Sequence, residues 1–163
     1  MARPKARRDR IEPNPHDEAS AEYQRGMAEI RKQLGPMADG YIRRIKALAP
    51  EFAWVNVTFP FGELYTREVI DLKTREMCTV AALTVQGFSL PELKLHVKAA
   101  LRCGATRGEI AEIITQMIAY AGFPAATNAL MTMQEAFDEV DADARKKNPR
   151  RKSAEKKKGR GGR

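Results

Sequence analysis

Glu76 and His96 stand twenty residues apart and are the side chains of this chain best suited to moving a proton. His96 is one of two histidines and lies in Leu93-Lys94-Leu95-His96-Val97-Lys98-Ala99-Ala100-Leu101, a stretch otherwise made of aliphatic residues and lysine. At helical spacing Leu90, Leu93, Val97, Ala100 and Leu101 share one apolar face, while Glu92, His96, Ala99 and Cys103 follow one another along its border. His96 is therefore expected at the edge of a core, with Glu92 one turn before it as a possible partner for the imidazole. Glu76 precedes Val80 by one turn and shares a flank with Leu72 and Leu83, which puts a carboxylate beside apolar surface. A carboxylate so placed, facing a histidine from the next helix, is an arrangement for proton transfer. The alternative reading is purely structural: His96 satisfies a core hydrogen bond, and Glu76 pairs with Lys73 or Arg75.

Thiol and metal chemistry find less support. Cys78 and Cys103 are 25 residues apart with no second cysteine near either, a spacing that suits neither a disulfide framework nor a zinc site. They are expected as reduced, buried thiols. No metal ligand set and no cofactor is called for.

The elements that must position the pair are helices. The sequence predicts helices over 19–34, 37–48 and 50 to about 59, broken at Gly35-Pro36 and before Pro50. Residues 62–70 read as a turn or loop. Asp71 is an N-cap for a helix over 72–85 that Gly87 ends. Ser89-Leu90-Pro91-Glu92 reads as a capping box opening a helix over 90–102, and Thr106-Arg107-Gly108-Glu109 as a second one opening a helix that runs from Ile110 to Ala121. Gly122 closes it, and Pro124 starts a last helix ending near Val140. No stretch alternates as a strand should, so the fold class is all-α, with about six to seven helices.

Length and charge set the frame. A chain of 163 residues holds one domain with a real core. Its net charge of +8 is unevenly distributed: residues 1–16 carry +3 and residues 144–163 carry +10, leaving −5 for the stretch between. We therefore read a basic disordered arm over 1–16, a helical domain over 17–143, and a basic disordered tail over 144–163. The tail's charge allows weak, salt-sensitive contact with nucleic acid or an anionic surface, though it lacks aromatics to stack on bases. Neither a membrane-spanning run nor a secretory signal is seen, so a cytoplasmic protein is expected.

Several motifs in order carry a resemblance: Gly62-Glu63-Leu64-Tyr65-Thr66-Arg67, Leu72-Lys73-Thr74-Arg75-Glu76, Leu95 to Leu101, Thr106 to Glu109, and Tyr120-Ala121-Gly122-Phe123-Pro124-Ala125-Ala126 with Asn128. Over roughly residues 40–140 the chain resembles the gamma-carboxymuconolactone decarboxylase family. The resemblance implies the all-helical alkyl hydroperoxidase D-like fold and a homo-oligomer, commonly a ring-shaped hexamer with sites near subunit interfaces. It also implies cofactor-free decarboxylation of a 4-carboxymuconolactone-like dicarboxylate in protocatechuate (beta-ketoadipate) catabolism. In that reading His96 is the acid or oxyanion donor, Glu76 orients it or relays the proton, Arg67 or Arg75 holds the substrate's second carboxylate, and Tyr65 is a further donor. The family's peroxidase branch needs a Cys-x-x-Cys pair ahead of the histidine, and those positions are Ser89 and Glu92 here, although Glu76 itself resembles that branch. A hydroperoxidase and a non-catalytic oligomer with anion-binding basic tails are thus the alternatives.

Overall fold

The computed structural model describes residues 17–147; the expected arm over 1–16 and all of the expected 144–163 tail but its first four residues, which are helical, lie outside them. Among the described residues every regular element is a helix, so the all-α expectation holds. They form two compact units, 17–75 and 76–147.

In the first unit, helix α1 (Ala21–Leu34) begins where the Ser20 hydroxyl accepts the Tyr23 amide, and ends at Gly35 with φ 58°. Tyr23, Met27, Ile30 and Leu34 recur along one side of α1 and are all buried. A short 3-10 turn (Gly35–Met37) leads to α2 (Ala38–Leu48), and Pro50 opens α3 (Pro50–Asn56). The next turns widen to a π-helix over Val57–Leu64, in which Tyr65 N–H reaches the Pro60 carbonyl at 2.8 Å. Pro60 has no N–H for the Asn56 carbonyl and its ring crowds that position, so the regular α winding cannot continue. A turn or loop is expected over 62–70; the helical turns in fact run on to Leu64 and the loop starts at Tyr65. Glycine makes the crossing of this segment with α1 possible. A Cβ on Gly26 would lie 2.2 Å from the Val57 carbonyl oxygen, and Arg25 Nε donates to the Gly62 carbonyl at 2.9 Å.

The second unit is built from α4 (Leu72–Gln86, its first turn belonging to the first unit), α5 (Leu90–Arg102), α6 (Arg107–Gln116) and α7 (Ile118–Lys147). Asp71 caps α4 as expected, its Oδ1 accepting Thr74 N–H at 2.7 Å. Gly104, at φ 95°, closes α5 with paired bonds from Gly104 N–H to Leu101 and from Ala105 N–H to Ala100, which also tucks Ala105 into the core. Thr106 and Glu109 form the expected capping box on α6. Ser89 does not cap α5: its hydroxyl donates to Gln86 Oε1 at 2.7 Å, which takes it away from the helix amides.

The core of this unit joins Val80 of α4, Leu93, Val97 and Ala100 of α5, Ile110 and Ile114 of α6, and Ala129, Met133, Ala136 and Phe137 of α7. Helix α6 stops at Gln116, earlier than expected, and α7 is interrupted at Gly122, whose φ of 75° no L-residue adopts readily; Pro124 follows. Beyond the break α7 continues to Lys147, seven residues past the expected end at Val140, held to its neighbours by ion pairs on one side. Lys94 bonds Glu135 and Glu139, Lys98 bonds Glu139, and Arg107 bonds Asp141 while lying 4.8 Å above the Phe137 ring.

Candidate active site

Helix α5 presents His96 at the border of its buried face, one position before Val97 and three after Leu93, both of which have no exposed surface. Helix α4 presents Glu76 one turn before the fully buried Val80. The two side chains meet: His96 Nδ1 lies 2.8 Å from Glu76 Oε2. Glu76 is 0% exposed, whereas the histidine side chain keeps 16%. Any small molecule therefore reaches the pair through the imidazole and not through the carboxylate.

This contact shows which partner each side chain takes. Glu76 bonds the histidine of the neighbouring helix, and Arg75 Nη2 donates to the Arg67 carbonyl at 2.7 Å. Glu92 does not pair with the imidazole. It is exposed in the first turn of α5 and makes no hydrogen bond among the described residues, because Nδ1 is turned toward the buried carboxylate.

The chemistry of the pair follows from which nitrogen is occupied. With Nδ1 on Glu76, Nε2 is the ring nitrogen left for another partner, and the glutamate fixes both the ring's orientation and its tautomer. Glu76 Oε1 is also buried, with no hydrogen-bond partner. Its position was not legible in the sequence: Val80 and Leu83 place the residue near apolar surface, but nothing in the spacing says that one oxygen is left alone.

The other residues singled out belong to the first unit. The Tyr65 ring is half-buried and stacks on Phe61 with centroids 5.3 Å apart. Arg67 is exposed, and its carbonyl accepts from Arg75. The cysteines depart from expectation. Cys78 is exposed and Cys103 partly so, neither being buried. Cys78 is two residues from both Glu76 and Val80, and two residues turn a helix by about 200°, so it projects from the opposite side of α4. Among the described residues no three His, Cys, Asp or Glu side chains gather as metal ligands, and no helix is long and apolar enough to cross a membrane.

Comparison with known proteins adds ancestry to this geometry. Residues 50–135, which span α3 to most of α7, match the carboxymuconolactone decarboxylase family. A 15.0 kDa protein from the nqo9-nqo10 intergenic region of Paracoccus denitrificans is 36% identical over 117 residues, covering 71% of this chain and 87% of that protein. The 4-carboxymuconolactone decarboxylase of Acinetobacter baylyi is 32% identical over 90 residues, or 55% of this chain and 66% of the relative. A nitrosuccinic acid decarboxylase of Metarhizium robertsii is 28% identical over 112 residues, or 69% and 73%. With the family model covering more than half its length, and Glu76 and His96 inside the matched region, the chain belongs to the carboxymuconolactone decarboxylase family.

Proposed function

We propose that this protein is a carboxy-lyase that removes CO2, without a cofactor, from a small carboxylated lactone of the 4-carboxymuconolactone type, as a step in aromatic-compound breakdown. The observation that carries the reading is the 2.8 Å contact between Glu76 and His96, with the carboxylate wholly buried and the imidazole reachable. Family membership and two relatives named as decarboxylases support it.

The substrates in those two names share one electronic feature. When CO2 leaves a gamma-carboxylated unsaturated lactone, the electron pair of the broken C–C bond spreads through the double bond onto the lactone carbonyl oxygen. When it leaves the carbon bearing a nitro group, the pair spreads onto the nitro oxygens. Either way the enzyme must steady a delocalised anion and then protonate carbon. His96 does both in this proposal: Nε2–H first lies near the developing negative oxygen or carbon, then transfers its proton to carbon. Glu76 steadies the imidazolium beforehand and holds the ring in place; water returns the proton to Nε2 afterwards. Arg67 or Arg75 is the proposed holder of the second carboxylate, a role that rests on the family resemblance. Tyr65 is the proposed further donor.

We also propose a homo-oligomer, of six copies as the family resemblance implies. Phe52, Val55 and Phe59 recur along one side of the first unit, and Phe88, Tyr120 and Phe123 lie exposed on the second, more apolar surface than a lone small protein usually leaves to water. A thiol peroxidase is disfavoured because Ser89 and Glu92 stand where the cysteine pair would be needed.

The test is CO2 release from 4-carboxymuconolactone and from nitrosuccinate. Wild type should turn over at least one, and His96→Ala should lower kcat by about 100-fold or more, as for a lost proton donor. Undiminished turnover by a folded His96→Ala protein would remove His96 from the mechanism. Release from neither substrate would refute the substrate class.

A further inference from the structure

Within the first unit a groove runs between α1 and α2. Tyr23 and Ile42, both nearly buried, lie at its base. Two ion pairs flank it, Arg31 with Asp39 at 2.8 Å and Lys46 with Glu18, and each neutralises itself. Arg43 is left over. It lines the same groove, is exposed, and makes no ion pair or hydrogen bond among the described residues, although its charge helps hold the Asp39 carboxyl below its ordinary range. The Tyr23 hydroxyl likewise bonds nothing among the described residues, though its ring stacks on Trp54. Burial, and after it the Glu18 carboxylate, raises the Tyr23 phenol above its usual value, so it remains a neutral donor. The groove thus combines one unmatched guanidinium, one unused O–H donor and an aliphatic base, with a net charge of +1 over its five ionic side chains.

We propose that this groove binds a small organic carboxylate, its charged end taken by the Arg43 fork and the Tyr23 hydroxyl and its apolar body resting on Ile42. A planar guanidinium matches a carboxylate with two parallel bonds, and the flanking pairs leave no competing acid for Arg43 beyond Asp39, which Arg31 already holds. Such a site is separate in composition from the Glu76–His96 pair.

Trp54, the single tryptophan of the chain, provides the readout because Tyr23 stacks on it at 5.2 Å. Benzoate is titrated into the full-length protein at constant ionic strength while Trp54 emission is followed, with inorganic phosphate in a parallel series. A saturable change with benzoate is expected. It should weaken by roughly tenfold or more in Arg43→Ala, as for a lost charge-assisted pair, and by a few-fold in Tyr23→Phe, which keeps the stack. Arg44→Ala, which removes the same charge from an exposed neighbour, should bind as wild type does. Phosphate, lacking an apolar body, should bind at least tenfold more weakly. The proposal is overturned by the absence of a saturable change, by equal weakening in Arg43→Ala and Arg44→Ala, or by phosphate binding as tightly as benzoate.

Discussion

Removing His96 should expose how strongly the buried carboxylate depends on it, and this can be measured without knowing the substrate. His96→Ala takes away the partner of Glu76 Oε2 while Oε1 already has none, so both oxygens of a fully buried side chain are left without a hydrogen bond. An orphaned buried polar group costs about 1–3 kcal/mol, and breaking a buried pair about 3–5 kcal/mol. The ring's 16% exposure allows some water into the vacated space, so we expect about 3 kcal/mol. Glu76→Leu alone should cost less, about 1–2 kcal/mol, because the imidazole it abandons can turn to solvent. In the double variant the orphaned carboxylate is gone, and the total loss should be about 2–3 kcal/mol, well below the sum of the single effects. Urea unfolding at a fixed protein concentration reads these values, with unchanged m-values required for the comparison. Single effects that add within about 0.5 kcal/mol would mean that the pair has no mutual stabilisation and that packing alone positions His96.

Gly26→Ala should destabilise the first unit by about 3 kcal/mol or more, since the new Cβ would fall 2.2 Å from backbone, whereas Gly40→Ala in open space within α2 should stabilise by about 0.5–1 kcal/mol; thermal melting distinguishes them. The carboxyls of Asp39, Asp71, Glu139 and Asp141 are held below their ordinary range by Arg31, the Thr74 amide, Lys98 and Arg107 respectively. Their contribution is present above the unfolded-state values near pH 4 and is lost as pH falls through the lowered folded values, so stability should hold from about pH 6 to 5 and decline below about 4. The decline should be shallower in Asp39→Asn/Asp141→Asn; an unchanged acid limb would remove these pairs from the explanation. Exposed Cys78 should react with a thiol reagent faster than partly covered Cys103, and the double serine variant should retain whatever activity wild type shows; a lost activity in a folded variant would restore a thiol mechanism.

Local signals in the sequence place most of the helices and single out two residues to watch. Leucine, valine and alanine at helical spacing specify α5, Asp71, Thr106 and Gly87 mark boundaries by local chemistry, and neither signal depends on distant residues. His96 was legible because a lone imidazole on the border of an apolar face is conspicuous, and Glu76 because Val80 and Leu83 share its flank. The helical turns past Gly62 were not legible, since the Pro60 effect on winding depends on whether the chain widens or breaks, and the close contact of Val57 with Gly26 shows the widened turns packed against α1. Ser89 looked like a cap, but Gln86, across the Gly87 turn, was a competing acceptor. Above all, Glu92 and Glu76 were both plausible partners for His96 at the level of spacing. Only packing chose between them: Glu92 faces water at the start of α5, while α4 delivers Glu76 from the side, fully buried, onto Nδ1. A helix's own periodicity fixes which residues share its faces, but which neighbouring helix covers a given face is set by contacts far apart in sequence, and the Glu76–His96 pair exists only once that contact is made.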